Sequence, residues 1–283
     1  MEHNALPKLP VFATIRDVFV VSARHAGDLL RFAAPWLIAV AVITGALYAL
    51  YFDTERASIA ATGAGTNALW SLTFAASTII GALIAVPWHR SILLTEPQSL
   101  SSGVALTPTK IAYVAKACAL MLVLSLPLIV AMMMPTSAEN TEGGSAIATS
   151  DAMFFLLVAV FIVWMFVMNR VSLILPATAV DNSAVGIAQS WSSTRGNTLR
   201  LAVVSFVATL LPMLVPLGLA LWLAPTATAA LDANTAPSLA AYVAANTAWE
   251  LFAVIAGMLY VTFLSLAYRH FFGATELSAN ALD

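Results

Sequence analysis

The sequence predicts an all-α membrane protein with six transmembrane helices and both termini inside. Its spans group into three repeated helix pairs, with amphipathic helices on the cytoplasmic surface. Three observations lead there. Of 283 residues, 61% are hydrophobic and only 9% charged, far below the roughly 25% charged residues of soluble domains. Apolar runs of the roughly 20 residues that a spanning helix needs recur along the chain. Finally, eleven of the twelve Lys and Arg residues fall on one side of those runs.

Residues 9–32 come first. Ile15, Val18, Phe19, Ser22, Ala26 and Leu29/Leu30 recur at helical spacing, while Arg16, Asp17, Arg24, His25, Asp28 and Arg31 fall largely elsewhere. An amphipathic helix is expected, lying on the membrane surface or packed on the protein's own cytoplasmic face. The charged stretch before the first apolar run is too long for a signal peptide, so none is expected. The spans are read at 32–52, 68–88, 111–134, 152–170, 201–224 and 248–268. Arg31 and Asp53 bracket the first, Asp151 and Arg170 the fourth, Glu250 and Arg269 the sixth. The runs are continuous and do not alternate, which predicts helices and not a barrel.

Charge sets the orientation. Lys8, Arg16, Arg24 and Arg31 precede span one; Arg90, Lys110 and Lys116 flank the second loop; Arg170, Arg195 and Arg200 lie between spans four and five; Arg269 follows span six. The remaining loops hold Arg56 against seven acids, Asp53, Glu55, Glu139, Glu142, Asp151, Asp232 and Glu250. The basic side is therefore cytoplasmic. Trp36 and Trp88 fall near that boundary and Trp70, Trp222 and Trp249 near the outer one, as amphipathic rings prefer, with Trp164 deeper. Pro127, Pro212 and Pro216 remove backbone donors, so spans three and five should kink. The outer loops are short and poor in aromatics, and Pro237-Ser238 suits the start of a long sixth helix.

An internal repeat organises the single membrane domain, 1–283, into copies at 9–96, 97–178 and 179–276. Gly27-Asp28-Leu29-Leu30-Arg31-Phe32-Ala33 leads into span one, Gly196-Asn197-Thr198-Leu199-Arg200-Leu201-Ala202 into span five, and the shorter Thr109-Lys110-Ile111-Ala112 into span three. The even spans end at Trp88-His89-Arg90, Met168-Asn169-Arg170 and Ala267-Tyr268-Arg269. From basic residue to basic residue the intervals are 59 (Arg31 to Arg90), 60 (Lys110 to Arg170) and 69 (Arg200 to Arg269). Any six-span protein places basic residues at such boundaries, but the Gly-Asp/Asn-x-Leu-Arg match asks for more than that.

Residues 169–201 form the longest inner connection. A helix is expected there, capped by Asp181 or Ser183, with Ala184, Ile187/Ala188 and Trp191 on one face and Gly196 at its end. Trp191 would anchor it at headgroup level, with Arg195 and Arg200 available for anionic phosphates, as the counterpart of the helix at 9–32. The residues expected to set membrane interface and topology are Arg31, Arg90, Lys110, Arg170, Asp181, Trp191, Arg195, Gly196, Asn197, Arg200 and Arg269.

Catalytic patterns are absent from the sequence: G-x-S-x-G, H-E-x-x-H, G-x4-G-K-S/T and C-x-x-C do not occur. Cys118 is the single cysteine, and His3, His25, His89 and His270 have no metal-site spacing. Lys116 sits a turn inside span three and can snorkel. Ser71, Thr73, Ser77 and Thr78, with Gly81, form a small polar face suited to helix packing. No catalytic, cofactor or metal residue is expected, nor a nucleic-acid partner. Membrane lipids are the expected partners, with a protein partner left open.

Asn169-Arg170 through Pro176 and Asp181, followed by Ser190-Trp191-x-x-Thr194-x-Gly196-Asn197-x-x-Arg200-Leu201, resemble the YciC-like family of bacterial inner-membrane proteins. The same pattern is similar to the membrane domain found beside some glycerophosphodiester phosphodiesterases. The resemblance implies a helical protein of the bacterial cytoplasmic membrane. Phosphodiesterase activity does not carry over: the catalytic barrel is missing, and Ser91 follows His89-Arg90 where that chemistry needs Gly. The leading expectation is a non-enzymatic scaffold or envelope-maintenance component. A transporter or channel for a small or lipid-like solute is the alternative. Convergence of His89, His270 and Glu96 in one cytoplasmic pocket would instead favour a membrane enzyme.

Overall fold

In the computed structural model the described residues are 7–55, 64–96, 99–133, 146–210, 212, 214 and 239–279, and among them there is no strand. Helix α1 (Val11–Arg24) breaks at His25, and α2 (Ala26–Glu55) follows at once. After α3 (Ala64–Leu93) comes a one-turn helix, α4 (Leu100–Val104), closed by a capping box between Ser99 and Ser102. Helix α5 (Pro108–Met133) begins with proline in its first turn, where the missing N–H costs nothing. Thr107 caps it by accepting from the Lys110 amide. Helix α6 (Ala146–Val171) runs almost directly into α7 (Ile174–Ala179), followed by α8 (Ile187–Ser193) and α9 (Thr198–Ser205). The last described element, α10 (Leu239–Ala279), has 41 residues, and Pro237-Ser238, expected to start this helix, lie outside the described residues.

Among the described residues three stretches are long and apolar enough to cross a membrane: Ala26–Ile43, Val158–Ala179 and Thr247–Gly273. Shorter apolar helical stretches occupy Thr78–Leu93 and Thr198–Thr209. In α10, 61% of the stretch is buried, against 17% for the one in α2. This makes α10 the central post, and it packs against α1, α2 and α3. The outward faces carry Ile38, Val42, Leu122, Val123 and Val163, each at least 60% exposed. Apolar surface of that extent calls for a non-aqueous neighbour.

Helix α1 packs on α10 and α9, so of the two placements expected for residues 9–32 the structure takes the protein's own surface. Thr14 and Val18 are buried while Phe12 and Phe19 face outward. The expected helix over 181–196 is corrected. Asp181 adopts φ +58 and caps nothing, and α8 begins only at Ile187 behind Gly186. Gly196, at φ +77, does lie in the turn that ends it. Ahead of Pro212 the helix widens into a π turn, Phe206–Leu210. Pro212 has no amide to give and its ring would crowd the carbonyl four residues back, so the irregularity has a local cause. Pro216, Trp222, the outer loops and the span beyond 214 lie outside the described residues, as do the side chains of Trp70, Ser71, Thr73, Ser77, Pro127 and Glu250.

Candidate functional site

The end of the bundle that carries Arg90, Lys110, Arg170 and Arg200, called here the basic end, is where polar side chains concentrate. Its floor is buried. Trp88, with no exposure, donates from Nε1 to Thr262 Oγ1 at 2.8 Å. Thr262 sends its own proton to the Met258 carbonyl, so Ser22, 2.9 Å away, must also be a donor to it. His89 is equally buried and uses both ring nitrogens. Ser265 gives its proton to the Val261 carbonyl, which leaves its oxygen to accept from His89 Nδ1–H at 2.7 Å. Nε2 then accepts from the Tyr113 hydroxyl at 3.1 Å. This bonding fixes a neutral tautomer with no free lone pair, so His89 is a core residue.

Above this floor, Arg90 holds Glu96 through a two-pronged contact, Nε to Oε2 at 2.8 Å and Nη2 to Oε1 at 2.9 Å. Its remaining prong, Nη1, reaches the Ala179 carbonyl at 3.0 Å and Asp181 Oδ2 at 2.9 Å. Thr109 donates to the other Asp181 oxygen at 2.7 Å. One Arg thus ties α3, the end of α7 and the start of α5, with the planar geometry that favours Arg over Lys. Thr109 and then Arg90 hold the Asp181 carboxyl below its ordinary range, and Glu96 holds the Arg90 guanidinium above its own. A cavity of about 380 Å³ opens beside these residues, with Lys110 on its wall. Lys110 is 3% exposed, and its ammonium donates to the Ser102 and Gly103 carbonyls at 2.6 and 2.8 Å. Burial pulls its pKa down. Those carbonyls are held close because α4 sits directly on α2: a Cβ on Gly103 would come within 2.5 Å of the Phe32 Cβ. Lys116, expected to snorkel, instead donates to Thr178 at 2.8 Å.

A second cluster joins α6 to α8. The Arg170 guanidinium lies 3.7 Å from the Trp191 ring centre, a cation–π contact, and Nε donates to Thr194 at 3.1 Å. Arg170 also donates to the Trp191 carbonyl. A third cluster clasps the segment before α1. Asn197, 1% exposed, accepts from the Leu9 amide at 2.8 Å and donates to the Pro7 carbonyl at 3.0 Å. Arg200 donates to the Leu9 carbonyl at 2.8 Å.

The structure therefore brings Arg90, Lys110 and Asp181 to one cleft, Arg170 to Trp191, and Asn197 to Arg200. Among the described residues Arg31 pairs with Asp28, at 3.7 Å, and Arg195 is exposed. Arg269 is exposed beside a shallow cavity it shares with His270, Leu9 and Asp17. His89, His270 and Glu96 occupy three separate places. Among the described residues no three His, Cys, Asp or Glu side chains converge as a metal would require. Sequence reasoning missed Glu96 and Thr109 as partners of the cluster, and the Trp88–Thr262 and His89–Ser265 bonds. Glu96 lies only six positions from Arg90; the other partners lie far away in the chain, and no local signal marks them.

Over the described residues, fold and site together define an all-helical protein with three helices able to cross a membrane and a polar end knitted to itself. Comparison with protein-family models, curated proteins and solved structures finds no match to this chain.

Proposed function

We propose that the chain is a non-enzymatic integral protein of the bacterial inner membrane, a scaffold or envelope-maintenance component that acts through lipid contacts. It crosses six times, the apolar stretches at 68–88, 111–134 and 201–224 adding to the three long ones, with both termini inside. The observation that carries the reading is how the polar end is used. Arg90, Lys110, Arg170, Arg200 and Asp181 are bound to other parts of the chain. A catalytic centre needs such groups turned toward a substrate; here they make a braced platform beneath an apolar, outward-facing surface. The YciC-like resemblance of residues 169–201 agrees with this reading. One observation favours the second reading, a transporter of a lipid-like solute: an apolar cavity between α6, the π turn and α10.

Labelling of single cysteines in a Cys118→Ser background tests the topology. Arg195→Cys should react only from inside and Ala60→Cys only from outside; the reverse result overturns the orientation. Purified protein in liposomes should show neither turnover nor solute flux. A defined turnover would refute the proposal, and flux would pass the case to the transporter.

A further inference from the structure

The cavity between α5, α6, the π turn and α10 has a volume of about 290 Å³. Phe161, Trp164 and Met165 form one wall, and Phe206 and Gly257 close others. Phe161 and Trp164 are stacked, with centroids 5.7 Å apart. Among the described residues no charged one lines it. Asn169 marks the end nearest Arg170, and Phe161 lies eight residues back along α6, about 12 Å deeper. In the membrane reading, the cavity therefore opens within the leaflet on the basic side. Phe161, Phe206 and Met121 at its rim are 38%, 47% and 42% exposed, a way in from the lipid phase.

The polar groups here are incompletely used. Asn169 Nδ2 donates to Ser205 at 2.7 Å, but the Tyr260 hydroxyl lies 3.5 Å from Asn169 Oδ1 and 3.4 Å from Ser172. Contacts of that length are weak. Thr209 Oγ1, in the π turn, is buried with no hydrogen-bond partner among the described residues. A hydroxyl shut away from water costs free energy until something bonds to it. The turn that places it there is of a kind frequently found at functional sites.

We propose that this cavity is a binding site for a neutral, long-chain lipid alcohol, its hydroxyl bonded to Thr209 and its chain between Phe161, Trp164 and Met165. Lack of charge in the lining selects against an ionised headgroup. The small volume, at the low end for ligand pockets, takes one chain and not a whole diacyl lipid. The unpartnered hydroxyl calls for an oxygen on the ligand. This site rests on the membrane-protein reading above.

The test uses a photoreactive diazirine hexadecanol, with the matching alkane and a diazirine phosphatidylcholine as controls, on the full chain in mild detergent. Crosslinks should map to 161–169 and 205–209 and favour the alcohol. Gly257 faces open space, so Gly257→Leu should fill the cavity and abolish labelling while leaving the fold intact. Thr209→Val keeps the shape and removes one hydrogen bond, so it should weaken alcohol labelling about 3–10-fold and leave the alkane unchanged. Labelling that is indifferent to both substitutions, or stronger with phosphatidylcholine, overturns the site while the membrane reading stands. Release of the protein from membranes by alkaline carbonate would instead overturn the membrane reading itself.

Discussion

Two stretches of this chain share nearly the same text, Gly27–Ala33 and Gly196–Ala202, and the structure puts that text to different uses. Their apolar residues behave alike. Phe32 and Ala33 are buried, as are Leu201 and Ala202, while Leu30 and Leu199 are 60% and 68% exposed. Their polar residues do not. Asp28 is partly exposed beside Arg31 and His25, whereas Asn197 is sealed in and grips Pro7 and Leu9. Asparagine at an N-cap normally bonds its own helix. Asn197 occupies that position on α9 but makes no capping bond, because its side chain is already committed to the Pro7–Leu9 segment. Similar sequence thus carries over the apolar register but not the contacts.

The largest expected effect tests the shared half of this comparison. Phe32→Ala and Leu201→Ala should each lower stability in detergent by about 3 kcal/mol, the range for emptying a packed site. Phe32 also loses its edge-on contact with Trp88, centroids 6.0 Å apart. A thermal unfolding series in which only one of them matters would end the equivalence. Next, Asn197→Ala should cost about 2 kcal/mol, since it strands the buried Leu9 amide. Asp28→Ala should change stability by less than about 0.5 kcal/mol, as exposed pairs do. Equal losses would mean that the latch contributes nothing of its own.

A single substitution made twice should then give opposite signs. Gly27 lies within α2 with nothing within 4 Å of an added Cβ, so Gly27→Ala should stabilise by about 0.5–1 kcal/mol. Gly196 is equally open but sits at φ +77, so Gly196→Ala should destabilise by about 1 kcal/mol. Matching signs would show that the backbone difference is not real.

The smallest effect concerns pH and the third lead-in, Thr109–Ala112. Asp181 has a lowered pKa in the folded state, so the stability it adds is present above the ordinary carboxylate range. That stability is lost as pH falls through the lowered value. With its side chain 61% exposed, the change is slight. Hydrogen-exchange protection around Thr109 and Asn182, relative to the intrinsic rate at each pH, should fall at acid pH in the natural chain and stay level in Asp181→Asn. The lead-ins at 27–33 and 196–202 should show no matching change.

Much of the helical frame was legible. Apolar runs bounded by Arg31 and Arg170 lie in helices. Pro212 signalled an irregularity, although the structure answers with a π turn. Helix α8 fell short of expectation because Asp181 tolerates a left-handed backbone, which its letter permits but does not announce. The site was legible as a set of residues and not as a set of pairs. Arg90 finds Asp181 91 positions away, and His89 finds Ser265 at 176. Periodicity reports which face a residue occupies; it is silent on which distant face it meets.

The clasp on Leu9 has a consequence in time. Its two halves are separated by 188 residues, which at about 5–20 residues per second take roughly 10–40 s to synthesise. For that interval the Pro7–Leu9 segment has no partner, and α1 cannot lean on α9 or α10. The earlier-made half of the clasp is thus among the last to dock, and its arrival marks the completion of the assembly at the basic end.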